Sequence, residues 1–458
     1  MIGDDASVSQ SQAIIVGAGV AGLIAARDLV RAGKTVVVLE ARDRVGGRTL
    51  SHDLEGQRID LGGQWIGAAH QRLTRLAEEL RIPTFPQYAT GKKVLDRGDG
   101  KVRTFSGFFP KIGLFGLIDL GLKLRSLEKL AKQVPLEAPM TMPGAAELDA
   151  QSFQQWLETN VKNPRARDML GLAAQMIFAA EPRDISLLYF LLYAHSGGGV
   201  QVLAEIEGGA QERRFTTGAQ EVSIRLAADL GDRIRLEHPV RAIEQRSDGV
   251  TVHTSRGSFT AQRVILAVPP ALIANLEIAD LPLDRIALHQ RMQPGSVIKC
   301  IASYARPFWR EAGYSGEAFS PHGLVRATFD DCSASGDHAA LVAFVVGDKA
   351  REFSKVPAED RRRLLLADLG RLHGPKAHLP TALIDKDWIA DEWSGGCYVG
   401  VMPPRLLTEA AAGLRTPHGL LHFAGTETAV HHLGYIEGAI ESGERVAIEV
   451  GARLRMSR

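Results

Sequence analysis

Cysteine is scarce in this chain. Only Cys300, Cys332 and Cys397 occur among 458 residues. That is too few for a disulfide framework and points to a reducing, cytoplasmic setting. Neither charge is in excess: 54 basic residues stand against 53 acidic ones. This balance argues against nucleic acid or an anionic membrane as a partner. No apolar run reaches about eighteen residues, so no membrane span is expected and the protein reads as soluble. Met1 to Gln12 is polar and carries Asp4 and Asp5, unlike a signal peptide. Internal repeats and low-complexity tracts are absent too. The most apolar stretch, Phe108 to Leu124, is broken by Pro110, Lys111, Asp119 and Lys123. It reads as a loop leading into an amphipathic helix, with Leu124, Leu127, Leu130 and Val134 as a stripe packed on the protein's own core.

What is present starts with a strand, a glycine turn and a helix. Ala13 to Val16 is a short apolar strand, Gly17-Ala18-Gly19-Val20-Ala21-Gly22 follows at once, and a helical pattern runs to about Ala32. A second strand, Thr35 to Leu39, ends in Glu40. This is a dinucleotide-binding fingerprint in its required setting. Gly17 permits the tight turn, Gly19 lets backbone approach a pyrophosphate, and Gly22 lets helix pack on strand. The helix N-terminus presents its positive dipole end to the phosphates. Glu40, near the usual spacing of about 20 residues, would accept from ribose hydroxyls and disfavour a 2′-phosphate. The cradle does not by itself separate NAD from FAD. The segment Arg42-Asp43-Arg44-Val45-Gly46-Gly47-Arg48 adds backbone donors and cations suited to an extended diphosphate.

Further along, Gly209 to Phe215, Gly295 to Cys300, Pro307-Phe308-Trp309-Arg310, Ser394-Gly395-Gly396-Cys397-Tyr398, Phe423 to Thr428 and Gly434 to Ala439 occur in that order. With the opening fingerprint and the Arg44 to Arg48 segment, they make the chain resemble the flavin-containing monoamine oxidase family from Ala13 to about Val450. The resemblance implies an α/β fold, in which a discontinuous Rossmann-like FAD-binding domain (1–85, 216–290 and 391–458) is interleaved with an α+β substrate-binding domain (86–215 and 291–390). The sequence is compatible. Ile234 to Leu236, Val240 to Gln245, Val250 to Thr254 and Val264 to Val268 read as strands, and Gln151 to Ala180 and Glu359 to Leu372 as helical.

The resemblance also assigns roles. FAD would be held by Gly17, Gly19, Gly22, Glu40, Arg42, Gly47, Arg48, Val240, Trp388, Thr426 and Glu427, with Cys397 bonded to the flavin 8α carbon. Tyr398 and Tyr435 would form facing aromatic rings that guide an amine to flavin N5. Lys299 would hold a water near N5; the bland alternative is a lysine snorkelling at a strand edge. Cys300, next along, should face the other way and pack in the core. Trp65, Met176, Ile177 and Gln211 are candidate pocket walls. Ala327 stands where an aromatic gate is expected, and a small residue there would open the pocket. Val430-His431-His432-Leu433 departs from the family's usual Thr-His-Trp-Ser, leaving His432 as a pocket candidate. No metal site is expected, since adjacent histidines rarely converge on one ion.

The function implied is oxidation of a primary arylalkyl or alkyl monoamine to aldehyde, ammonia and hydrogen peroxide, with molecular oxygen as acceptor. A homodimer is a candidate assembly. Alternatives stay open: an amino-acid oxidase, for which Arg326 could hold a carboxylate, or an amine dehydrogenase passing electrons to a protein. A noncatalytic flavin-fold binding protein would be expected to lack Lys299 or the tyrosine pair, and both are present.

Overall fold

A computed structural model describes residues 9–456. Two large sheets organise it. The first has eight strands in the order Ile234–Arg235, Val36–Leu39, Ser9–Val16, Gly257–Leu266, Gly249–Thr254, Val240–Arg246 and Glu277–Ile278, with Leu421–Phe423 also pairing with Gly257–Leu266. Its central strands are parallel. Parallel strands are covered on both faces, so their sequences read as unbroken apolar runs. Here Ile15, Val36 and Val38 pack into one buried cluster with the helix Val20–Arg31, while Ile14, Val16, Val37 and Leu39 pack into another on the opposite face. The long helix Ile436–Met456 lies against Val20–Arg31 and completes the first cluster. This is the Rossmann-like half, and it draws on widely separated parts of the chain.

The second sheet has seven strands in the order Ala382–Asp387, Val297–Tyr304, Ala339–Val346, Ala327–Asp330, Tyr314–Phe319, Lys92–Asp96 and Val102–Phe105. Every residue of Val297–Tyr304 is buried. Ile298, Cys300 and Ala302 join a cluster roofed by the helix Ala358–His373, so Cys300 is a core residue. Val297 and Ile301 share the other face with Phe344, which is paired in register with Lys299. That face looks towards the helices Pro164–Phe178 and Leu187–Ser196, which carry the largest apolar cluster.

Two helical expectations need correction. The pattern from Gln151 to Ala180 is two helices, Phe153–Asn160 and Pro164–Phe178, because Asn163 caps the second and Pro164 starts it. The amphipathic helix starts at Leu114 and runs to Ala131, so Val134 lies beyond its end. Leu120 and Leu127 are buried as its inner stripe, but Leu114, Phe115, Ile118 and Leu122 form an exposed apolar outer face. No helix among the described residues is long and apolar enough to cross a membrane.

Candidate active site

The opening motif builds one wall of a cavity of ≈ 290 Å³. Gly17 adopts φ +102°, and a Cβ there would come within 2.8 Å of the Ala267 carbonyl oxygen. A Cβ on Gly22 would meet the Gly17 carbonyl oxygen at 2.0 Å, which is the helix-on-strand contact that requires glycine. A Cβ on Gly19 would meet nothing within 4 Å. Gly19 faces open space and precedes the first turn of Val20–Arg31, so backbone N–H groups point into the cavity. Glu40 lines it as well; its carboxylate accepts from the Ala18 N–H at 2.7 Å and the Arg42 N–H at 3.0 Å. Arg42, Gly47, Arg48, Val240, Cys397 and Thr426 also line this cavity. Arg42 is fixed by Asp391 and Ser394.

Glu427 is not on that wall. It is buried beneath it and holds Arg48 by a bidentate pair, Nη1 to Oε1 at 2.6 Å and Nη2 to Oε2 at 3.0 Å. Burial alone would raise its carboxyl, but Arg48 outweighs burial and keeps it below the usual carboxylate range. Arg48 Nη1 also donates to the Tyr398 carbonyl oxygen at 2.9 Å. Glu427 thus positions a residue that positions Tyr398. Cys397 lines the cavity and is nearly enclosed, and burial pushes its thiol up to about 12. The Cys397–Tyr398 peptide is cis.

Trp388 lines neither this cavity nor the next. Its indole N–H donates to the Leu61 carbonyl oxygen at 2.8 Å and its ring is buried in the core beside Cys397. It supports the wall from behind.

A second cavity of ≈ 270 Å³ adjoins the first. Gly63, Tyr398, Gly434, Tyr435 and Ile436 line both, so they form the divide. Trp65, Met176, Ile177 and Gln211 line the second cavity, together with Tyr193, Phe105, Phe319, Phe329 and Phe344. Its walls are overwhelmingly apolar and aromatic. Tyr193 stands 6.2 Å, ring to ring, from Tyr435 and backs it. Burial raises the phenols of Tyr398 and Tyr435, so both are neutral at physiological pH.

Lys299 is 3% exposed and does not snorkel. Its ammonium donates to the Gly62 carbonyl oxygen at 2.9 Å and to Gln64 Oε1. Gln64 lines the second cavity and in turn donates to Asp331, which also receives Arg214. Burial lowers Lys299 to about 8, opposed by Asp331 and Asp60. The lysine therefore sits beneath the Gly62–Gln64 backbone at the divide.

Three sequence expectations fail here. Ala327 does not line the cavity: it is paired in register with Phe319 on one side and Phe344 on the other, is fully buried, and those flanking residues reach the cavity instead. His432 does not line it either. Its backbone N–H is tied to the Ser196 carbonyl oxygen, and its ring packs on His70 at 4.8 Å, which packs on Tyr435 at 5.2 Å. His70 accepts from the Gly67 N–H through Nδ1, and burial lowers it to about 3, so it is a neutral spacer behind Tyr435. Arg326 is turned away and donates to the Pro321 carbonyl oxygen. No cluster of three or more metal-type ligands occurs among the described residues.

A dinucleotide cradle opening past two tyrosines onto an apolar chamber is the layout of a cofactor-dependent oxidoreductase. Residues 20–451 match the family model for flavin containing amine oxidoreductase. A protein described as a probable flavin-containing monoamine oxidase A of Dictyostelium discoideum is 38% identical over 451 residues, covering 97% of this chain and 98% of that one. The solved structure of wild-type putrescine oxidase bound to putrescine superposes with a TM-score of 0.93 at 36% identity, covering 97% of this chain and 99% of that one. Cyclohexylamine oxidase from Brevibacterium oxydans superposes with a TM-score of 0.92 at 31% identity, with coverage of 97% and 99%. The chain belongs to the flavin-containing amine oxidoreductase family and is a flavin-dependent amine oxidase.

Proposed function

We propose that the protein oxidises a primary alkyl or arylalkyl monoamine: amine, oxygen and water give aldehyde, ammonia and hydrogen peroxide. The observation that carries this reading is the divide itself, where Tyr398 and Tyr435 face both a dinucleotide cradle and an aromatic chamber. The cradle suits FAD. Open space above Gly19, the Glu40 carboxylate and the cations Arg42 and Arg48 match an adenosine, a diphosphate and their charges. FAD would supply the two-electron acceptor, and Cys397 on the cavity wall is the residue we assign to its covalent attachment.

The remaining work falls to this chain's own groups. Neutral phenols at 398 and 435 present electron-rich faces to an entering amine. The aromatic chamber excludes water and disfavours a charged ammonium, so the substrate reacts as the free amine. Lys299 holds the Gly62 carbonyl and the Gln64 side-chain amide in place and would order a water at the divide. With the two sheets assigned to separate domains, the chemistry falls at their junction, within the division at 1–85, 216–290 and 391–458 against 86–215 and 291–390. Turning Arg326 away removes the support for an amino-acid oxidase.

The test is anaerobic mixing of the yellow protein with benzylamine, phenylethylamine, tyramine, putrescine and several amino acids, followed by air. Bleaching by a monoamine and recovery in air with peroxide is the expected result. Bleaching that air does not reverse would mean a dehydrogenase. No bleaching by any amine would end the substrate assignment.

A further inference from the structure

The aromatic chamber has one charged wall residue from an unexpected quarter. Lys93 lines it. Its Nζ lies 3.0 Å from Glu317 Oε1, its one ionic partner among the described residues. Glu317 is 2% exposed, does not line the chamber, and its Oε2 makes no hydrogen bond. Burial raises the Glu317 carboxyl, opposed first by Lys93, and the nearby Glu205 raises it further. A buried ion pair contributes little net stability, because desolvation consumes most of its attraction. Such a pair beside an apolar chamber needs another reason to be there.

Its distance from Phe344, the ring beside Tyr398, follows from the sheet. Ring contacts step outward from Tyr398 to Phe344 at 6.3 Å, Phe329 at 6.1 Å, Phe319 at 6.2 Å and Phe105 at 6.4 Å. From Phe344 outward each step moves to the next strand, except the last, which passes over Lys92–Asp96. Lys93 is paired in register with Phe105. From the strand of Phe344 to that of Lys93 is three strand spacings, about 14 Å. A straight chain of roughly ten carbons has that reach.

We propose that Lys93, neutralised by Glu317, is a distal subsite that recognises an uncharged hydrogen-bond acceptor, such as a hydroxyl, at the far end of a long primary amine. An ammonium carries three donors, and Glu317 leaves some of them for a ligand. The acceptor is uncharged because the pair is already neutral and Glu205 stands near: a terminal carboxylate would meet two like charges. A second ammonium would meet Lys93 first. The subsite deepens the amine-oxidase reading and rests on it.

The experiment compares kcat/KM of the flavin-loaded enzyme for 10-aminodecan-1-ol, decylamine and 1,10-diaminodecane, with benzylamine as a reference substrate. The wild type is expected to favour the amino alcohol over decylamine by about tenfold, the worth of one charged-donor hydrogen bond. In Lys93→Met that ratio should fall to about one. A merely structural pair would move stability and leave the ratio alone, and an unchanged ratio overturns the subsite. A preference for the diamine that is lost in Glu317→Gln also overturns it, because Glu317 would then be reading an ammonium. Failure of every amine, benzylamine included, to bleach the flavin rejects the amine-oxidase reading and the subsite with it.

Discussion

The two cavities are similar in size and opposite in construction. The cradle is walled by backbone, glycines and buried ion pairs, and most of its residues come from short contiguous motifs. The chamber is walled by rings and aliphatic side chains carried one or two at a time on separate strands and helices. A cradle for a fixed, charged group needs donors at fixed places, which backbone supplies. A chamber for a small apolar guest needs volume and dryness, which many side-chain combinations supply. The cradle should therefore be brittle and the chamber forgiving.

The sharpest way to break that contrast is at Glu427. Glu427→Ala leaves the Arg48 guanidinium without its buried counter-charge and should destabilise the protein by about 3–5 kcal/mol. Thermal melting and the ratio of visible to ultraviolet absorbance should show a lower Tm and lost flavin. Gly22→Ala comes next. Its methyl would sit 2.0 Å from the Gly17 carbonyl oxygen, so helix and strand must separate, at about 1–3 kcal/mol. Reduced flavin content on purification checks this. In the chamber, Phe329→Ala should keep its flavin and lower kcat/KM for phenylethylamine roughly tenfold, while bulkier amines lose less. Flavin loss in Phe329→Ala would erase the distinction between the two walls.

Lys299, which lies between the regions, is expected to show its effect as a pH dependence. Its native value of about 8 lies below the ordinary lysine value of 10.5. Between those limits the unfolded chain binds a proton that the folded chain does not, so this group's contribution to stability rises as pH rises through the window. Below pH 8 the buried cation counts fully against the fold. The Tm difference between Lys299→Met and wild type should therefore favour the variant most below pH 8 and shift towards wild type as pH approaches 10.5. A pH-independent difference would show that Lys299 is not titrating there.

The same contrast explains what could be read in the sequence. Gly17, Gly19, Gly22, Glu40 and Arg48 stand in motifs whose spacing is set by one turn of backbone, and Cys397, Tyr398 and Tyr435 stand in two more. The geometry each motif needs is local, so its letters are adjacent. Phe319, Phe329 and Phe344 have no such spacing. They become neighbours only through the register of three strands, and nothing in the residues around them states that register. Ala327 shows the limit well: it stands on a strand beside the chamber, but its flanking partners Phe319 and Phe344 cover it. Lys93 and Glu317 lie over two hundred positions apart in the chain, and only a parallel pairing of their strands brings them together. The exposed face of Leu114, Phe115, Ile118 and Leu122 was hidden for a different reason. A helix that is apolar on two sides gives no single stripe to read.

Two of the five residues at the divide, Gly63 and Gly434, offer no side chain to alter. A Cβ on Gly434 would strike the Tyr193 hydroxyl at 2.2 Å. Room for side-chain change is thus smaller at the divide than on the outer strands of the seven-stranded sheet. There a ring or a charge stands on strands that do not wall the cradle. The fold keeps its chemistry conservative and its diet adjustable, a division of labour under which one scaffold can diversify by small steps.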